Sequence, residues 1–386
     1  MKFRKKRFSP FLSLTDMRAG LYIHIPFCKQ RCGYCSFCSS VVKDGEISRY
    51  INALKSKISF YSKKYADKEF ETLYIGGGTP SLLNKENSDV LFSSLFESFN
   101  LKNLIEFTTE ANPESLSEEY LESFVNHGGN RLSLGVQSLN DNECRAVSRI
   151  TDKQKVFSAI KSAKDFGIKN ISADLLLGLP NQNEKSLSEN INVLCDLGIS
   201  HLSLYSLKID ESSPLYCKKN SLSLPDEETE FLLYKAASKL LAQKGLNRYE
   251  ISNFSKNGFE SKHNLKYWKE EEYLGLGLSA HSFMNGVRFF ETDDFNRFYS
   301  LESSVTKEED VLFKSNSLEE KLMLLLRLSS GFPVSLFPEQ KKEKLNNFHK
   351  RLISNNLAEK NSDFVILTDE GLWVMNEIIL RFSRLL

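Results

Sequence analysis

Cys28, Cys32 and Cys35 are spaced as C-x3-C-x2-C, and Cys38 follows three residues later. Thiolates hold iron–sulfur clusters, and a four-iron cube usually takes four of them. A loop this tight wraps three corners of such a cube and leaves the fourth iron open, which separates a reactive metal site from a closed structural one. Zinc is the alternative, but zinc sites favour two separated C-x2-C or Cys/His pairs, and no second pair lies downstream. Cys38 is a spare ligand or a reduced bystander. The remaining cysteines, Cys144, Cys195 and Cys217, are scattered. A secreted disulfide scaffold would be shorter and more evenly stitched, so the pattern favours a reducing compartment, and a cytoplasmic protein is expected.

The cysteine loop needs elements to hold it. Short β-rich runs at 21–25, 72–75, 104–109, 131–136, 170–177 and 201–207 alternate with amphipathic stretches at 47–65, 116–126, 152–166 and 184–197. Glycines at 128–129, 167 and 198 fall just past three of those helices, where C-caps belong. This rhythm implies parallel strands with right-handed crossovers. Six units are too few for a closed eight-fold barrel, leaving an open partial barrel or a doubly wound sheet. Either way, ligands gather beyond the C-terminal strand ends. Tyr22, Glu110, Gln137, Arg149 and Asp174 fall at or just beyond those ends. Gly76-Gly77-Gly78-Thr79-Pro80 adds a run of backbone groups without side chains, able to approach a charged ligand closely.

After residue 207 the rhythm changes. A long helix is expected over 226–244, a strand over 248–254, and a glycine-punctuated loop or strand over 273–283. A helical region from about 315 carries a small hairpin near Asn361-Ser362 and a last helix over 369–382, a winged-helix-like pattern. The expected division is a basic flexible tail (1–19), a barrel (20–210), a barrel extension (211–314) and a helical C-terminal domain (315–386). Across 386 residues, 51 Lys and Arg against 50 Asp and Glu leave a net charge of +1, so no global field points to nucleic acid. The longest apolar runs are far shorter than the ~20 residues of a membrane span.

The cysteine spacing resembles the signature of the radical S-adenosylmethionine superfamily, in which the methionine end of the cofactor chelates the open iron. The match narrows along the chain. His24-Ile25-Pro26-Phe27-Cys28, the glycine run, Glu106-x-Thr108-x-Glu110-Ala111-Asn112-Pro113, Asn130-Arg131-Leu132-Ser133-Leu134-Gly135-Val136-Gln137-Ser138, Asp174-Leu175-x2-Gly178-Leu179-Pro180 and Arg248-Tyr249-Glu250-Ile251-Ser252-Asn253-Phe254 occur in order. Over roughly residues 20 to 380 the chain is similar to the oxygen-independent coproporphyrinogen oxidase family. The resemblance implies a partial (β/α)6 barrel with a smaller, mainly helical domain. It also implies a [4Fe-4S] cluster on Cys28, Cys32 and Cys35, with S-adenosylmethionine held by Tyr22, Tyr34, Gly77, Gly78, Thr79, Glu110, Gln137, Arg149 and Asp174.

Within that family the loop reads Tyr34-Cys35-Ser36-Phe37 where the oxidases carry a fourth cysteine, and this resembles the heme-chaperone branch. His263-Asn264-x2-Tyr267-Trp268 fits that branch's H-N-x2-Y-W pattern, which implies heme as a further ligand, with His263 as candidate axial ligand and Tyr267 and Trp268 as flanking faces. The competing reading of His263 is a buried aromatic corner. The resemblance implies heme and a heme-acceptor protein as partners, with peripheral membrane association through that acceptor and no nucleic acid. Two other functions compete: oxidative decarboxylation of coproporphyrinogen III, and a plain iron–sulfur electron carrier. Ser148-Arg149-Ile150-Thr151 departs from a common G-R-x-H stretch, keeping the arginine and losing a histidine. His24 is expected to shape the cluster loop, His281 is a further candidate site residue, and His127 and His349 are expected on solvent-facing helix surfaces.

Overall fold

The computed structural model describes residues 18–300 and 317–386, so the expected basic tail lies almost wholly outside the described residues. Six parallel strands carry the fold: β1 (Arg18–Ile25), β2 (Glu69–Gly77), β3 (Glu106–Ala111), β4 (Arg131–Gln137), β5 (Asn170–Leu177) and β6 (His201–Ser206). Beyond β6 come β7 (Asn247–Glu250) and β8 (Asn253–Ser255), and beyond β1 lie β9 (Tyr273–Leu276), β10 (His281–Met284) and β11 (Val287–Phe290). The sheet order is β11-β10-β9-β1-β2-β3-β4-β5-β6-β8-β7. β9 runs parallel to β1, a seventh parallel strand that the glycine-punctuated pattern left open between loop and strand. The stretch expected as one strand over 248–254 is instead two antiparallel strands broken at Ile251-Ser252.

Alternation along the strands explains why the sheet curls around a polar interior. Leu73, Ile75, Phe107, Leu132, Leu134, Ala173, Leu175, Leu202 and Leu204 belong to the apolar core. The alternate residues Tyr74, Glu110, Arg131, Ser133, Asp174, Ser203 and Tyr205 line a cavity on the other face. Successive strand residues point to opposite faces, so this period of two fixes the register of every strand. Helix α1 (Glu46–Lys64) covers the outer face with Tyr50, Ile51, Leu54, Ile58 and Tyr61, spaced three and four apart. Each fully buried apolar side chain of this kind contributes roughly 1.5–3 kcal/mol. Gly128, Gly167 and Gly198 end their helices at positive φ, as C-capping glycines do.

The C-terminal helices enclose a second apolar cluster around Leu322, Phe332, Leu345, Phe348 and Phe382. The expected hairpin near Asn361-Ser362 is closed by the antiparallel bridge Ala358↔Leu367, and Phe364–Val365 pairs with Phe332–Pro333. The last expected helix is two, Asp369–Trp373 and Met375–Leu385. His349, expected on a solvent-facing surface, is 5% exposed and packs inside this cluster's helix.

Candidate cofactor site

One cavity of about 350 Å³ opens at the C-terminal ends of the parallel strands, the end at which such barrels bind ligands. Its volume falls within the range of small-molecule sites. Cys28, Cys32, Cys35, Tyr34, Gly77, Gly78, Thr79, Glu110, Gln137, Arg149 and Asp174 all line it. These come from six chain segments, and the fold brings them to one wall.

The cysteine loop is fixed by its neighbours. Gly33 donates its N–H to the Val147 carbonyl at 3.0 Å and accepts from Leu215 N–H at 2.8 Å. A Cβ at Gly33 would sit 2.6 Å from Leu215 Cγ. Tyr34 packs beside Val147, Leu176, Leu179 and Leu215 in a small apolar cluster. His24, as expected, shapes the loop: Nε2 lies 2.9 Å from the Cys38 carbonyl oxygen and Nδ1 2.9 Å from the Tyr22 hydroxyl. Gly77 has φ +116°, and a Cβ there would meet the His24 ring at 2.6 Å. Gly78 lies against the backbone of Phe27, 2.6 Å from that virtual Cβ. Both glycines are therefore required by close approach of the cysteine loop.

The thiols have suitable donors. Thr79 Oγ1 lies 3.6 Å from Cys28 Sγ, and Arg149 Nη1 lies 3.4 Å from Cys32 Sγ. Arg149 is 7% exposed and also bonds Asn112 Oδ1 at 2.6 Å and the Gly135 carbonyl. Burial works against its charge, but the facing Cys32 and Tyr34 raise its pKa. Burial pushes the Cys28 thiol up. Among the described residues no three His, Cys, Asp or Glu side chains converge on one ion position. The three thiols line one wall of the cavity, and their C-x3-C-x2-C spacing suits a multi-iron cluster with one iron to each thiolate. Cys38 does not line the cavity and packs partly against the core.

Acids complete the wall. Glu110 accepts from Tyr74 Oη at 2.8 Å and Gly77 N–H at 3.0 Å, and burial pushes its pKa up to about 7. Asp174 accepts from Ser133 Oγ at 3.2 Å on both oxygens, and burial raises it too. Gln137 sits in the left-handed region at φ 68°, where β4 shifts register against β5. A non-glycine held there on the cavity wall is a strained backbone position.

Five expected site residues, Tyr22, His263, Tyr267, Trp268 and His281, lie elsewhere. The Tyr22 hydroxyl is turned to His24, behind the wall. His263 is 0% exposed, with Nδ1 2.8 Å from Thr72 Oγ1 and Nε2 2.7 Å from Tyr267 Oη. Both nitrogens are occupied, so as placed the ring offers no lone pair to an iron. This is a buried corner whose partners are side chains. Trp268 lies away from the cavity under Arg327, whose guanidinium carbon is 5.3 Å from its ring. His281 is exposed on β10 and stacks on Phe290 at 5.3 Å. Asn112, Tyr74, Arg131, Tyr205 and Asn264 also line the cavity; polar residues at alternate strand positions are the sequence signal for Tyr74, Arg131 and Tyr205.

A sequence profile of the Radical SAM superfamily matches residues 22–194. The chain is 33% identical over 367 residues to the heme chaperone HemW of Bacillus subtilis (strain 168), covering 92% of this chain and 97% of that protein. It is 33% identical over 370 residues to the heme chaperone HemW of Lactococcus lactis subsp. lactis (strain IL1403), covering 94% and 96%. Among solved structures, the coproporphyrinogen III oxidase HemN of Escherichia coli superposes with a TM-score of 0.79 at 21% identity, over 96% of this chain and 91% of that one. That likeness is one of fold.

Proposed function

Since the chain belongs to the HemW family of heme chaperones within the radical SAM superfamily, we propose that it binds a [4Fe-4S] cluster, S-adenosylmethionine and heme, and passes heme to an acceptor protein. The observation that carries the cofactor part is the shared cavity wall of Cys28, Cys32 and Cys35 with Glu110, Gln137, Arg149 and Asp174. Cys28, Cys32 and Cys35 hold the cluster. When bound, cluster and cofactor together supply one-electron chemistry. The chain's own part is to position and shield: Glu110 and the Gly77 backbone face the amino end of the cofactor, and Arg149 braces the Cys32 sulfur against Asn112. Asp174 and Gln137 offer acceptors and donors to its polar groups.

Phe37, 68% exposed, stands at the cavity rim where the oxidases carry a cysteine. It supports cargo handling at the mouth. His263 and Tyr267 hold the base of the barrel, because their polar atoms are consumed by each other and by Thr72. No described helix is long and apolar enough to cross a membrane. The cytoplasm is the proposed compartment, and contact with a membrane would come through the acceptor.

The test is anaerobic reconstitution followed by two titrations on one sample, S-adenosylmethionine by calorimetry and heme by its Soret band. Saturable binding of both is expected. Loss of heme binding with cluster and cofactor intact would leave an iron–sulfur protein without cargo and overturn the reading.

A further inference from the structure

The inner part of the cavity holds a group of donors that the cofactor assignment does not use. Arg131 lines it, is 2% exposed, and has Nε and Nη1 buried without a hydrogen-bond partner. No ion pair of its guanidinium occurs among the described residues. Asn264 and Tyr205 line the same cavity, the Tyr205 hydroxyl facing Ser203 and Asn253 across it. Arg131 pairs with Thr108 while Glu110 pairs with Ser133, two residues further along, so Arg131 lies inside the barrel below Glu110.

A buried guanidinium without a paired anion is expensive, and retaining one needs a reason. Two acids are near. Glu106 is engaged by the backbone N–H groups of Lys262 and His263 at 2.8 and 3.0 Å. Asp174 is engaged by Ser133, with Ser172 Oγ at 3.4 Å. Their fields stabilise the charge of Arg131, yet neither caps its donors. Guanidinium, amide and phenol hydroxyl are all donors, and a planar carboxylate accepts from such a set at once.

We propose that Arg131, Asn264 and Tyr205 form a carboxylate-binding subsite at the inner part of the cavity, separate from the Glu110 and Arg149 positions. The idea rests on the cofactor and cargo reading above. The ligand that brings a carboxylate to this depth is the propionate arm of a porphyrin, because the methionine carboxylate of S-adenosylmethionine shares its carbon with the amino group placed at Glu110.

The experiment compares heme with heme dimethyl ester on the reconstituted protein. A charge-assisted hydrogen bond predicts a preference of about ten- to a hundredfold for the free carboxylate. Arg131→Met abolishes that preference while leaving the affinity for the ester within about threefold. Tyr205→Phe, at a half-exposed position that tolerates the change, reduces it as well. A purely structural Arg131 would lower both members of the pair equally. Equal loss in both members, or a preference that survives in a folded Arg131→Met and in Tyr205→Phe, overturns the subsite. Failure of the wild-type protein to bind heme or cofactor at all is instead a failure of the functional reading.

Discussion

Arg149 Nη1 lies 3.4 Å from Cys32 Sγ, and the same guanidinium bonds Asn112 Oδ1 and the Gly135 carbonyl. One side chain thereby ties the cysteine loop to the ends of β3 and β4. Arg149→Met leaves the Cys32 sulfur and Asn112 without their donor in a buried setting, a loss of about 1–3 kcal/mol per unsatisfied group. S-adenosylmethionine binding should weaken tenfold or more by calorimetry. Arg149→Lys recovers little, because one ammonium cannot reproduce the planar fork across three partners.

Cys38 differs from its neighbours by position. It lies off the cavity wall, and its carbonyl, not its thiol, is the group that His24 engages. Cys38→Ser should retain the full iron and sulfide content after reconstitution. Single serine substitutions at Cys28, Cys32 and Cys35 should each lose most of it. Iron assay and the visible cluster absorption check both statements.

Gly77 has no room for a side chain, with φ +116° and the His24 ring 2.6 Å from a virtual Cβ. Gly77→Ala costs more than about 1 kcal/mol through backbone conformation alone, and the clash adds to it. It pushes His24 off the Cys38 carbonyl. A lower melting temperature together with a reduced iron content is expected.

His263→Ala removes the partner of both Thr72 and Tyr267 inside the barrel. Cavity formation and two stranded hydroxyls predict a loss of roughly 2–4 kcal/mol in denaturant unfolding. The Soret titration of the folded variant should match the wild type. A large drop in heme affinity would instead make this ring the axial ligand, with the corner opening to admit iron.

Burial pushes Glu110 up to about 7. An acid whose pKa is raised on folding holds its proton more tightly in the native state, so native stability falls as pH climbs from the ordinary value of 4.5 through about 7. Cofactor binding runs the other way, because the carboxylate form accepts from an ammonium group. S-adenosylmethionine affinity should therefore rise between pH 6 and pH 8, and Glu110→Gln should bind weakly and lose that slope.

Much of this was readable in the chain. The C-x3-C-x2-C spacing, the glycine run and the strand-end acids needed only their order along the sequence to be placed on one wall, because a parallel barrel gathers strand ends by construction. What was missed depends on side-chain direction. Arg131 and Tyr205 sit on strands whose alternate residues are apolar, and a period of two assigns them to the interior once the barrel is known to curl. Asn264 and His263 are adjacent, yet one lines the cavity and the other is sealed beneath it. Sequence spacing could not separate them, since both fit the same motif; the helix Lys262–Trp268 turns them to different sides. The resemblance and its place on β1 put Tyr22 among the cofactor residues, but its hydroxyl is drawn to His24.

The central claim is that this protein holds heme and gives it away. The decisive measurement incubates the reconstituted, heme-loaded protein with a heme-free acceptor while following the acceptor's Soret spectrum, and in parallel supplies coproporphyrinogen III with S-adenosylmethionine and a reductant. The account predicts heme appearing on the acceptor and no protoporphyrinogen IX. Turnover of coproporphyrinogen III without heme transfer would contradict it.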